Sequence, residues 1–203
     1  WWTGNITAYF AMACILKGVL PRAEAALKAA MSYEQTPHNS PERRILCAWG
    51  ELALARDEAD LALNIAERLL SSAPGHTNDQ PIPWLLQLKA KALMASGRMS
   101  EVIPVLESAK SGLLQRQERP LLWQVHGLLG RAYKYVKQEE QARVEVVAAV
   151  KVIEELKETI DDEYLRGNFS RMALKTLPRE KYLVASSTIV EKYHGLTERE
   201  YTV

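Results

Sequence analysis

The chain has 203 residues, 47% of them apolar, 25% charged and 7% aromatic, which suits one folded unit or two small ones and excludes a disordered or collagen-like chain. Its 26 lysines and arginines against 25 acidic residues leave a net charge of +1, so no overall field draws it toward nucleic acid or anionic lipid. Cys14 and Cys47 stand in apolar helical patterns with no second Cys or His at metal-ligand spacing, which argues against a disulfide framework or a zinc site and for a reducing cytoplasm. No apolar run approaches the ~20 residues that cross a bilayer. The opening Trp1-Trp2-Thr3-Gly4-Asn5 has neither the basic start nor the cleavage site of a signal peptide, and it reads as a chain cut from something longer.

Taken in chain order, apolar residues recur three and four apart almost everywhere, and no stretch alternates as a strand does. The first block runs to Ser40-Pro41 and divides at Gly18 to Pro21. The second carries Leu61-Ala62-Leu63-Asn64-Ile65-Ala66, divides at Arg56-Asp57 and ends in the polar stretch Pro74 to Pro81. The third divides at Ser96-Gly97-Arg98 and ends at Arg119-Pro120. The fourth divides at Val136-Lys137-Gln138 and ends at Asp161-Asp162. Its valine-rich stretch Val144 to Val152 has the composition of a strand, yet Glu145, Lys151 and Glu154 keep helical spacing, so it is read as helix. Past Leu156 the register fades, and a helix from about Asp161 to Thr176 and another from about Arg179 to Tyr193 form a degenerate closing pair.

Each block is thus a helical hairpin, and the four align. Cys14, Ala53, Leu93 and Tyr133 share one column at a spacing of about 40 residues, longer than the ~34 usual for tetratricopeptide repeats. Ala23, Ala62, Val102 and Ala142 follow, then Leu27, Ala66, Leu106 and Val146, then Ala30, Leu69, Ala109 and Ala149. Small residues in such columns let the paired helices approach, and larger ones fill the groove to the next hairpin. The fourth block, with Leu129-Gly130-Arg131-Ala132-Tyr133, Ala142 and Ala149, resembles the tetratricopeptide consensus. The expected fold is an all-α right-handed superhelical solenoid: four hairpins over residues 1–160 and a closing helix pair over 161–194.

Residues 195–203 end the chain with Leu196-Thr197-Glu198-Arg199-Glu200-Tyr201-Thr202-Val203, in which Thr197 and Glu200 form a capping box. This stretch resembles the opening of a LuxR-type helix-turn-helix domain, here truncated. A solenoid followed by such a domain resembles the MalT-like family, the large ATP-dependent bacterial transcriptional activators. The resemblance implies a module that receives a small-molecule effector or a regulatory protein and controls DNA binding and oligomerisation of the whole regulator, with homo-oligomers in the full-length protein. The chain itself carries no Gly-x-x-x-x-Gly-Lys-Ser/Thr loop, so ATP is expected only in a missing upstream domain and no cofactor in this fragment. DNA is expected only through the missing C-terminal domain, and no membrane partner is expected.

No constellation of catalytic residues emerges, and the chain is read as a non-enzyme. His38, His76 and His194 fall in polar loops, His126 sits beside Trp123 as a packing residue, and the runs Glu139-Glu140 and Glu154-Glu155 are solvated faces. Trp49, Trp84 and Trp123 lie on first helices, where a core role and aromatic stacking on a ligand both remain open. First helices line the concave surface of tetratricopeptide folds. Counting from the aligned column puts Arg44, Cys47, Glu51 and Met94 there, and with them the candidate binding residues Trp84, Gln87, Lys91, Gln124, Arg131, Lys134 and Tyr135. Donors and aromatic faces suit a polar or anionic effector or an acidic peptide. The rival reading is a peptide-binding scaffold that senses no small molecule.

Overall fold

Among the residues that the computed structural model describes, 2–72 and 82–178, every regular element is helical. They are α1 (Trp2–Leu16), α2 (Leu20–Ala30), α3 (Ser40–Leu54), α4 (Ala59–Ser72), α5 (Pro83–Ala95), α6 (Met99–Gln115), α7 (Arg119–Tyr135), α8 (Glu139–Lys157) and α9 (Glu163–Thr176). The second helix expected in the closing pair and the terminal residues 195–203 lie outside the described residues.

The helices α1, α3, α5 and α7 turn back into the even helix that follows through the same kind of short turn, three or four residues long. Gly18, Asp57, Gly97 and Lys137 occupy one column of the repeat, and each has a left-handed backbone, with φ of 72°, 61°, 73° and 61°. That residue lets the next amide reach back six residues, inclusively counted, to an orphan carbonyl. Val19 donates to Cys14, Glu58 to Ala53, Arg98 to Leu93 and Gln138 to Tyr133, each at 2.9 Å. The carbonyls so satisfied belong to the column that first revealed the repeat. Gln117, with φ of 56°, makes the corresponding exit from α6 into α7.

Helix starts follow ordinary chemistry. Proline stands in the first turn of α2, α3, α5 and α7, where its missing N–H costs nothing. The Asn39 side chain accepts from the Glu42 amide, and the Glu42 carboxylate accepts from the His38 amide at 2.6 Å. Asp162 caps α9 by accepting from the Leu165 amide.

The odd helices stack in one row, α1 on α3, α3 on α5 and α5 on α7, while α4 and α6 also pack on the odd helix that follows them. The repeat columns form the core between them. Ala23, Ala62, Val102 and Ala142 are all buried, as are Leu27, Ala66, Leu106 and Val146. Ala142 shows why the column stays small: its carbonyl oxygen lies 3.5 Å from where a side chain on Gly130 would begin, and Val146 Cγ2 only 2.8 Å from it. A side chain on Gly130 would therefore meet α8, and glycine there lets α7 and α8 pack closely. Ala30 departs from its column and is exposed, because α2 ends there and the chain leaves in an extended conformation at Met31.

Of Trp49, Trp84 and Trp123, two are structural. Trp49 is 5% exposed, donates its indole N–H to the Met31 carbonyl at 2.8 Å and meets Tyr33 edge-on. Trp123 meets Phe169 edge-on and helps seat α9 against α8, together with Ala149, Ile153, Ala173 and Leu177. The third, Trp84, faces elsewhere.

Two substitutions test this architecture. Lys137→Gly removes the cost of a left-handed non-glycine residue and should stabilise by about 1 kcal/mol, raising the melting temperature by roughly 2–4 °C. Ala142→Leu should overpack the Gly130 crossing and destabilise by roughly 1–3 kcal/mol. Thermal unfolding followed by circular dichroism measures both, and an unchanged Ala142→Leu protein would refute the register.

Candidate functional site

On the outer side of the odd-helix row, three columns of the repeat carry polar and aromatic side chains where neighbouring columns are apolar. One column holds Arg44, Trp84 and Gln124, the next Cys47, Gln87 and Gly127, the third Glu51, Lys91 and Arg131. The helical hairpin spacing brings equivalent positions side by side, so these residues meet across α3, α5 and α7 as a ladder.

Arg44 lies between two rings, its guanidinium carbon 5.7 Å from the Tyr9 centroid and 5.6 Å from that of Trp84, and it donates to the Tyr9 hydroxyl at 3.0 Å. Its planar group is thereby held in one orientation. Gln87, 5% exposed, donates to the Gln124 side-chain oxygen at 2.9 Å. Lys91 donates to Glu51 at 2.7 Å, an ion pair with both side chains partly buried. Among these groups stands the Cys47 thiol, which burial and then the nearby Glu51 carboxylate push up to about 12, so it stays protonated and unreactive.

The seven residues singled out from the sequence fall into two sets. Trp84, Gln87, Lys91 and Gln124 lie together in the ladder, joined by Arg44 and Glu51. Arg131 occupies the next rung but donates to the Thr176 carbonyl at the carboxyl end of α9, where the helix dipole favours a cation. Lys134 and Tyr135 are exposed on the last turn of α7, with Tyr135 64% exposed. A separate cavity of about 150 Å³ opens between α3, α4 and the 31–39 loop, beside Arg68, but that guanidinium is committed to the carbonyls of Tyr33, Glu34 and Gln35. Among the described residues no group of three or more His, Cys, Asp or Glu is placed to hold a metal ion, and no helix is long and apolar enough to cross a membrane.

A second polar constellation sits inside the solenoid at the junction of the third and fourth hairpins. Glu145, 7% exposed, takes His126 Nδ1 at 2.6 Å on one oxygen and Lys110 Nζ at 2.8 Å on the other. Lys110 also binds Glu107, which accepts from the Tyr133 hydroxyl at 3.0 Å. Burial opposes ionisation of Glu145, but the hydrogen bonds from His126 and Lys110 outweigh it and hold the carboxyl below its ordinary range. Burial likewise works against the charge on Lys110, and Glu107 and Glu145 together raise its pKa all the same. The sequence alone presents His126 as a packing residue, Glu145 only as keeping helical spacing and Tyr133 as a repeat-column residue, and it does not single out Lys110 or Glu107.

That network generates a paired prediction. Glu145→Gln breaks a buried ion pair and should cost roughly 3 kcal/mol. The combination His126→Leu, Lys110→Leu and Glu145→Ile, which installs the residue types of the earlier repeats, should match or exceed the stability of the unchanged protein. Because the folded pKa of Glu145 is depressed, its stabilisation is complete above the ordinary value of 4.5 and disappears as pH falls through the folded value. Acid unfolding of the unchanged protein should therefore begin below pH 4.5 and be blunted in the combined variant, as read by melting temperature against pH.

No protein-family model matches the chain, and no curated protein matches it. A solved structure described as "MamA RS-1 ArsTM double mutant" is similar to it, with 18% sequence identity and a TM-score of 0.49 over 86% of this chain and 94% of that one. The helical-hairpin solenoid, resembling tetratricopeptide repeats in its paired helices and small-residue columns, rests on the chain's own register.

Proposed function

We propose that the chain is the effector-sensing or protein-docking module of a LuxR/MalT-type bacterial transcriptional regulator, and that its ladder face is the receptor surface. The observation that supports this reading is the run of pairs on successive odd helices, Arg44–Trp84 and Glu51–Lys91 within a column and Gln87–Gln124 diagonally between two. The corresponding columns of α1 hold Asn5, Ala8 and Met12, so the ladder is a local investment of three rungs and not a property of every repeat.

The chemistry favours an anionic partner. Arg44 is pre-oriented by two rings and keeps donors for a carboxylate, Trp84 and Tyr135 offer faces for stacking, and Arg131 and Lys134 add positive charge nearby, the charge of Lys91 being balanced by Glu51. The ladder is spread over three hairpins and not gathered in one pocket, which favours an extended acidic segment of a regulatory protein over a compact effector. In this reading the partner binds one arrangement of the regulator better than another and so shifts its population, changing oligomerisation and DNA engagement by the other domains. ATP and DNA belong to those domains, no chemistry is catalysed here, and the setting is the cytoplasm. A peptide-holding scaffold without sensing uses the same surface and differs in having no response to transmit.

Arg44→Ala in the full regulator is the test. Effector response in a transcription assay should be abolished, while the melting temperature of the 203-residue chain falls by no more than a few degrees, since a partly exposed cation contributes at most about 1 kcal/mol. An unaltered response would remove the ladder from the mechanism, and binding of an acidic peptide without any transcriptional response would favour the scaffold.

A further inference from the structure

The strongest unexplained surface is one long side of α1. This helix carries no charged residue over its length, and Ile6, Tyr9, Phe10 and Leu16 are 63%, 60%, 39% and 75% exposed. With the exposed Ala13 between them they form a single stripe at helical spacing.

The repeat register identifies that stripe. Ile6 shares its column with Ile45, Leu85 and Val125, which are 4%, 0% and 0% exposed. Tyr9 shares its column with buried Ala48 and Leu88 and half-buried Leu128, Phe10 with buried Trp49 and Leu129 and half-buried Lys89, and Ala13 with Leu52, Ala92 and Ala132, all buried, while the Leu16 column is exposed in every hairpin and lies at the edge of the stripe. In the later hairpins this side of the odd helix is where the preceding hairpin packs. Ile45 reaches Gly4 of α1, and Leu88 fits against Gly50 of α3 so closely that a side chain on Gly50 would begin 2.7 Å from it. The polar edge follows the same logic. Arg56, at the end of α3, pairs with Glu24 of the preceding hairpin at 2.7 Å, and the residue in the Arg56 column at the end of α1 is Lys17.

We propose that the open side of α1 is an acceptor for a further helical hairpin, joined ahead of α1 in the same polypeptide and stacked as α1 and α2 stack on α3. The surface continues an interface repeated three times within the described residues, and this continuity selects the occupant. It is a helix pair with glycine or alanine where Gly50 stands, to seat Tyr9, and a carboxylate where Glu24 stands, to meet Lys17. A second copy of the chain fits less well, because Arg22 over Phe10 and Arg44 over Tyr9 give the stripe a cationic rim that a face-to-face pair would set against itself.

The chain's own third hairpin serves as the probe. Residues 83–120, which end in the short Gln117–Glu118 exit, are duplicated and joined to Trp2, keeping the register of about 40 residues. Docking should slow hydrogen exchange of the α1 amides at least tenfold and raise the melting temperature by several degrees. Ile6→Asp with Ala13→Glu should abolish both gains in the fusion while leaving the unfused chain as stable as before, since both side chains are already exposed. A fusion with unchanged α1 exchange overturns the proposal. So does sedimentation that finds the unfused chain to be a dimer dissolved by the same two substitutions, which would make the occupant a second copy. Neither substitution alters Tyr9 or a ladder residue, so this outcome is distinct from any failure of the receptor reading.

Discussion

The geometry of this molecule depends on a single backbone position per hairpin. Gly18, Asp57, Gly97 and Lys137 each turn left-handed two or three residues past the end of their helix, and each lets the next amide reach the equivalent carbonyl. Because that bond fixes where the even helix begins and at what angle, it fixes which residues of the odd helix face inward, onward and outward. The small-residue crossing at Gly130 and Ala142, the stacking of Leu88 on Gly50 and the meeting of Lys91 with Glu51 all inherit their alignment from it. Aspartate and lysine occupy the position twice, so the turn is imposed by the packed hairpin as much as by glycine's freedom.

Within that repeating frame the ion network is a deliberate breach of repetition. His126 stands in the column of Leu46 and Leu86, Glu145 in that of Ile65 and Val105, and Lys110 in that of Met31, Leu70 and Val150. Three polar residues thus replace three apolar ones at one junction and satisfy one another. Buried ion pairs of this kind add little net stability over apolar packing, but each partner forbids the wrong neighbour. The network makes the third and fourth hairpins recognise each other through groups buried in the core, whereas the earlier junctions place their ion pairs, Arg56–Glu24 and Lys91–Glu51, at partly exposed edges.

Most of the helical organisation was legible because the repeat has two independent signals, hairpin breaks at one offset and small residues at another, and four copies in which to see them agree. The short α2 was not, since nothing in Ala30 tells that the helix ends beside it and leaves that column uncovered. The ladder was half legible. Face counting placed Trp84, Gln87, Lys91 and Gln124 together, but partner choice depends on side-chain reach, so the commitment of Lys91 to Glu51, the holding of Arg44 between two rings and the tie of Arg131 to α9 came only with the structure. The network's signal lay in the alignment itself: charges of opposite sign in apolar columns of adjacent repeats. Read singly, Glu145 and Lys110 resemble any solvated helical charge.

The connection from α2 to α3 is fastened in an unusual currency. Arg68 donates to the carbonyls of Tyr33, Glu34 and Gln35, and Trp49 to that of Met31, so the first hairpin is latched to the second through main-chain oxygens that any amino acid supplies. The segment's path is therefore set largely from α3 and α4, its own side chains adding the Tyr33 ring against Trp49 and a Gln35 oxygen that accepts from the Ser32 amide. Glu34 gives the joint only main-chain atoms, so replacing its side chain should leave the latch intact, whereas replacing Arg68 or Trp49, far away in sequence, should open it.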